Sequence, residues 1–219
     1  PVGLPNSSTS DVYVTGGFTV TYDPAVAATV VNTIAAAKSC SNLYVDTNST
    51  LNSTGLVNAV KWLNVYGNTV SVGTGSVLGN TANGNNTDGI SLNMLSNNVT
   101  ITGGGTINIA RIISNIANTN LTIDTDVTLN YHGTSNAGHA TGYYIISGDN
   151  NVLTVNTGKT LTFAPWSCLI YTSGGHSTAS NFSQTINLYG TMTFVDGDLG
   201  GTLSATVANA WAGTTIISL

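Results

Sequence analysis

Nine aspartates, three histidines, three lysines and one arginine carry most of the ionisable chemistry of this 219-residue chain, which contains no glutamate. Asp124 and Asp126 stand at i and i+2, which would place both carboxylates on one face of a strand. VDGDLGG sets Asp196 and Asp198 in a glycine turn whose oxygens could face calcium. Neither pair completes a ligand loop, so turn chemistry or a solvated face is the expectation and no metal or other cofactor is called for. His132, His139 and His176 have no metal-ligand spacing. Serines accompany them, but no G-x-S-x-G elbow is present to make a hydrolytic nucleophile. Two short stretches remain that put an acid or a base in a glycine-flanked setting, NTDGI at 86–90 and SGGHS at 173–177.

Those two stretches resemble motifs of the polygalacturonase-type β-helix glycosidases. The resemblance implies that Asp88 is an active-site carboxylate and His176 the histidine beside the scissile bond. The rest of that family's pattern is missing. Its adjacent Asp-Asp has only Asp124-Thr-Asp126 as a counterpart, and its closing Arg-x-Lys has none, because no cation follows Lys159. Inverting hydrolysis needs two carboxyl groups roughly 6.5–9.5 Å apart, and an acidic sugar needs cations to hold it. A lyase would ask Arg111 to serve as both base and counter-ion. GNTANGNNTDG and SGGHSTASN also read simply as asparagine- and glycine-rich connections. A polysaccharide-cleaving enzyme is therefore the alternative function. A carbohydrate-binding module is a second alternative, with Tyr143, Tyr144, Trp166 and Tyr171 as candidate platform aromatics.

The elements that must position these residues repeat along the chain. Numbered from Leu153, LTVNTGKTLTF has apolar residues at Leu153, Val155, Leu161 and Phe163, offsets 0, 2, 8 and 10. The same offsets occur at Val99, Ile101, Ile107 and Ile109, and at Leu121, Ile123, Leu129 and Tyr131. Weaker copies start at Leu43, Leu63 and Ile186, so successive starts are 20, 36, 22, 32 and 33 residues apart. Each copy is a period-two strand, a small polar corner and a second period-two strand. One copy cannot bury its apolar row, whereas copies stacked about 4.8 Å apart would share a core. The pattern resembles the parallel β-helix passengers of surface adhesins and the pectin-lyase-like β-solenoids, over roughly residues 43–195. The expected fold is all-β, a repeat-built parallel solenoid, with an antiparallel β-sandwich or jelly roll as the alternative.

Ahead of the repeats, DPAVAATVVNTIAAAKSC predicts a capping helix over 24–38, with Asp23 as its N-cap and Pro24 in its first turn. Val12, Val14, Phe18 and Val20 flank a Gly-Gly corner and predict a strand pair within residues 1–22. That segment could pair inside its own domain, formed by residues 23–219, or add to the edge of a neighbouring subunit. The second option resembles donor-strand exchange in extracellular filaments.

Charge and cysteine usage bear on location. Only 6% of residues are charged and the net charge is −5, which leaves no basic footprint for nucleic acid or anionic membrane surfaces. No apolar run is long enough to span a bilayer. The opening PVGLPNSSTS fits a chain whose signal segment has been removed, and secretion would allow Cys40 and Cys168 to pair. In a straight solenoid the two would stand on the order of 15–20 Å apart, whereas a disulfide needs Cα atoms within about 7 Å. Carriage of Cys40 down the side on the helix, a compact sandwich, a bridge between subunits or a buried free thiol each removes that conflict. Asn6, Asn48, Asn52, Asn85, Asn98, Asn120 and Asn181 match the glycan acceptor pattern. The expected function is a secreted structural or adhesive protein, self-associating into a filament or surface assembly and possessing glycan contacts.

Overall fold

The computed structural model describes residues 7–22, 38–53, 61–79, 90–114, 116–129, 142–146, 150–163, 167–169, 184–194 and 215–218. For residues 61, 142–146, 167–169, 184, 194 and 215–218 the description is of the backbone alone. Within these residues every paired strand is parallel, and no helix is present.

The chain winds through three sheets in turn. It begins β1 (Val12–Val14), β2 (Thr19–Thr21), β3 (Lys38–Cys40), β4 (Leu43–Val45), β5 (Thr50–Asn52) and β6 (Lys61–Val65). Next come β7 (Thr69–Val72), β8 (Val77–Gly79), β9 (Ile90–Met94), β10 (Asn98–Gly103), β11 (Thr106–Ile109) and β12 (Arg111–Ser114). Then follow β13 (Asn120–Asp124), β14 (Val127–Leu129), β15 (Gly142–Ile146), β16 (Asn151–Val155), β17 (Thr160–Phe163) and β18 (Ser167–Leu169). The last strands are β19 (Gln184–Leu188), β20 (Thr191–Phe194) and β21 (Thr215–Ser218). Sheet A stacks β1-β4-β7-β10-β13-β16-β19-β21, sheet B β2-β5-β8-β11-β14-β17-β20 and sheet C β3-β6-β9-β12-β15-β18. This is a parallel β-solenoid, and the antiparallel sandwich is excluded.

Stacking like on like explains the repeats. Val12, Leu43, Val70, Ile101, Ile123, Val155 and Leu188 form one inward column of sheet A. Leu51, Leu78, Ile107, Val127, Leu161 and Met192 do the same in sheet B. Most of these are fully buried, each burial contributing about 1.5–3 kcal/mol. β-branched and aliphatic residues suit such a column because each side chain packs on its equivalent one strand away.

Two details of the repeat differ from the sequence pattern. Ile107 pairs with Val127 rather than Leu129, because the corner of that copy is two residues shorter. A slip of two keeps every side chain on its face, so periodicity alone does not detect it. The copy beginning at Leu63 straddles sheets C and A, since β6 ends at Val65 and β7 begins at Thr69. The column in sheet A advances instead by 31, 27, 31, 22, 32 and 33 residues from Val12 to Leu188.

The predicted helix 24–38 falls on residues 24–37, outside the described residues, and its last position, Lys38, opens β3. Val12 and Val14 are buried in β1 against β4, and Val20 lies half-buried in β2 beside Leu51. Thus the N-terminal strand pair is joined to sheets A and B of its own chain. Phe18, at the corner between them, is 68% exposed.

Corners are held by side-chain amides and glycines. Asn42 donates from its backbone N–H and Nδ2 to Asp11 Oδ1, and its Oδ1 accepts from the N–H groups of Asn68 and Thr69. At Gly103, φ is +120° and an added Cβ would run into the Val72 backbone of the neighbouring turn, so only glycine fits.

Candidate functional site

Alternation along a strand turns every second side chain outward, and on sheets A and B those residues lie partly or fully exposed. Sheet C differs. On its outward side Trp62, Asn64, Ser91, Asn93, Arg111 and Ile113 are all buried, although they stand outside the apolar core. Ser91 lies between Trp62 of β6 and Arg111 of β12, while Asn93 lies between Asn64 and Ile113. Asn93 Nδ2 donates to Asn64 Oδ1 at 2.7 Å. Ser91 Oγ and Asn93 Oδ1, by contrast, are buried without a hydrogen-bond partner. Buried polar atoms are almost always paired, so the two orphans single out this strip, as Asn108 Oδ1 does one position on sheet B. The sequence pointed to the stretch just before β9 but not to this strip. IxLxM in ISLNM looks like an ordinary buried strand, and only the burial of its polar alternates singles it out.

Asp88 and His176 lie outside the described residues, as do His132, His139, Asp196 and Asp198. Trp166 and Tyr171 do also, and Tyr143 and Tyr144 are described only as backbone of β15. The structure therefore does not bring Asp88 and His176 together or separate them. Asp124 and Asp126 do not share a strand: Asp124 ends β13 and Asp126 precedes β14, with buried Thr125 between them. Asp124 accepts from Asn156 Nδ2 at 2.8 Å and Thr102 Oγ1 at 3.3 Å, and Asp126 accepts the Thr160 N–H at 2.8 Å. Both carboxylates serve the stack. Among the described residues no three acidic, histidine or cysteine side chains gather as a metal site.

A Cys40–Cys168 bridge within the chain is overturned. Cys40 is a buried free thiol whose Sγ donates to the Asn64 carbonyl at 3.6 Å. It lies in β3 and Cys168 in β18, the opposite margins of sheet C. Five strand spacings separate them, about 24 Å, far beyond the reach of a disulfide. Burial pushes the Cys40 thiol up to about 12, with a smaller contribution from the Asp11 charge. Beside it, burial also pushes the Tyr22 phenol up to about 12. The Tyr22 hydroxyl donates to the Trp62 carbonyl at 2.5 Å and accepts the Lys38 N–H at 3.1 Å, tying β2 to sheet C. Asp11 moves the other way, its carboxyl lowered by the backbone and side-chain N–H groups of Asn42.

No family model, curated protein or solved structure matches this chain.

Four acceptor asparagines fall on described residues, and Asn6, Asn85 and Asn181 do not. Asn48 is exposed at φ +56°, a corner position, whereas Asn52 is half-buried and accepts from Thr21 Oγ1. Asn98 and Asn120 are exposed register neighbours on sheet A, with Asn120 Nδ2 donating to Asn98 Oδ1 at 2.9 Å.

Aromatic side chains are exposed elsewhere on the stack. Tyr13 and Tyr44 stack at 4.8 Å with ring planes 9° apart, and Tyr13, Phe18, Tyr66 and Tyr189 are the large exposed apolar side chains among the described residues. Tyr13 and Tyr44 head an outward column of sheet A that continues through Ser71, Thr102 and Asp124. One residue beyond the Val155–Leu188 pair, Asn156 and Tyr189 complete it.

Proposed function

We propose that the protein is a secreted structural or adhesive component of a cell-surface assembly or filament, its copies joined by β-strand addition at the first turn. The observation that carries this reading is the first turn itself. β1 and β2 form one margin of sheets A and B, and the two most exposed large apolar residues among those described, Tyr13 and Phe18, belong to that turn. The Phe18 carbonyl and the Tyr22 N–H point to β5, so alternation turns the backbone of Thr19 and Thr21 toward the margin. Such a margin can template another strand. The scarcity of charge fits a role that is mechanical rather than electrostatic.

Electron microscopy of the native protein tests this, with filaments or ordered arrays expected. Replacing Thr19 and Thr21 together by proline, which removes two outward donors, should leave a folded, unassembled protein. Unchanged assembly of that variant would rule out the linkage.

A second reading, a polysaccharide-active β-helix enzyme, is favoured by one observation: β9, which begins two residues after Asp88, carries the orphaned Ser91 and Asn93 beside Arg111. Asp88→Asn should abolish cleavage of uronic-acid polymers, and an absence of cleavage by the native protein would end this reading.

A further inference from the structure

Sheet A turns outward a column of half-buried polar side chains with an exposed tyrosine at each end. From Tyr13 to Tyr189 the column crosses six strand spacings, about 29 Å, and rises in even steps of about 4.8 Å. Both terminal rings are well exposed, at 64% and 58%. The Tyr13 ring is held in place twice, by stacking on Tyr44 and by its hydroxyl donating to Asp11 Oδ2 at 3.3 Å. A ring fixed in this way loses little conformational entropy when a ligand packs on it.

Between the tyrosines lie a hydroxyl pair, Ser71 and Thr102, and then Asp124 and Asn156. Alongside runs a second outward row in which Thr69, Thr100, Thr122 and Thr154 are successive register partners. The only carboxylate within the polar line is Asp124, whose two oxygens are already engaged by Asn156 and Thr102. No cation stands among the described outward side chains of sheet A.

We infer that this face binds an uncharged, extended polysaccharide lying along the solenoid axis, with Tyr13 and Tyr189 as stacking platforms and the hydroxyl and amide rows as hydrogen-bond partners. Sugar rings offer an apolar C–H face and a rim of hydroxyls, which matches an aromatic surface beside neutral donors and acceptors. One strand spacing is close to the length of a pyranose in an extended β-linked chain, so successive sugars meet successive turns. Absence of cations disfavours uronic-acid polymers here, which separates this face from the sheet C strip. The inference deepens the adhesive reading and rests on it.

The test is retention of the purified full chain on insoluble cellulose, chitin and mannan, with polygalacturonate as the charged comparison, followed by titration with soluble oligosaccharides of two and six residues. Retention on a neutral glycan is expected, with the hexasaccharide at least tenfold tighter than the disaccharide. Tyr189→Ala and Tyr13→Ala should each weaken hexasaccharide binding about tenfold, Tyr13→Phe should preserve it, and Phe18→Ala, which lies off the column, should leave it unchanged. The inference is overturned if no neutral glycan is retained, if polygalacturonate binds better, or if Tyr189→Ala alters sedimentation but not glycan binding, which would make the face a contact between copies. Filaments without glycan retention end this inference and leave the assembly reading intact. Glycan retention without filaments does the reverse.

Discussion

Asn93 donates to Asn64 across neighbouring strands of sheet C while its own Oδ1 has no partner, although both residues are buried. Truncating Asn93 deletes that orphan but leaves the buried Asn64 Oδ1 without its donor. Asn93→Ala should therefore destabilise the fold by about 1–3 kcal/mol. In an Asn64→Ala background the same change should cost much less, because the acceptor is gone. Urea unfolding of the two single variants and the double variant closes the cycle, and additive costs would contradict the pairing.

Cys40 predicts insensitivity to reduction. A native disulfide would contribute about 2–5 kcal/mol, so its reduction would lower the unfolding midpoint. Here the midpoint should be the same with and without reductant. The Cys40 thiol should resist alkylation in the folded protein and react once the chain is unfolded in urea. Rapid native-state labelling at Cys40, located by peptide mass spectrometry, would contradict its burial.

Alkaline pH should weaken the first turns. Cys40 and Tyr22 are neutral when protonated, and folding raises them from 9.0 and 10.0 to about 12. The folded state thus holds their protons more tightly than the unfolded state. Their contribution is complete below about pH 9 and is lost as pH rises through about 12. Unfolding midpoints measured across that window should fall with pH, and Tyr22→Phe combined with Cys40→Ala should flatten the slope.

Gly103→Ala should be among the most damaging single-methyl changes. A positive φ costs a non-glycine residue on the order of 1–3 kcal/mol, and the added Cβ also strikes the Val72 backbone. Gly158, at φ +71° with open space around it, should lose only the conformational part. Comparing the two alanine variants by thermal unfolding separates strain from collision.

The solenoid was legible because stacked turns must put like residues over like, as Val99, Leu121 and Leu153 do, whose apolar rhythm survives any change in connection length. Turn boundaries were less legible. Leu63 and Leu43 carry the same rhythm in different sheets, and Val127 and Leu129 differ by a slip of two that periodicity does not register. The candidate sites were harder still. Ser91 and Asn93 look like the solvent side of a strand until their burial is known, and Tyr13 and Tyr189, 176 residues apart in the chain, align only through the pairing of seven strands. Asp88 and His176 stand in short glycine-flanked stretches that are legible locally, whereas a column across turns leaves no local trace.

The parallel stacking of successive turns has a mechanical consequence. Hydrogen bonds between strands run along the rod axis, so a pull applied to its ends loads them a turn at a time rather than all together. Under tension such a rod unspools, each released turn lengthening it by some thirty residues of chain while the remainder keeps its shape, as the spacings of 31, 27 and 31 in the first turns set the size of each step. A stack built this way yields gradually under load instead of snapping.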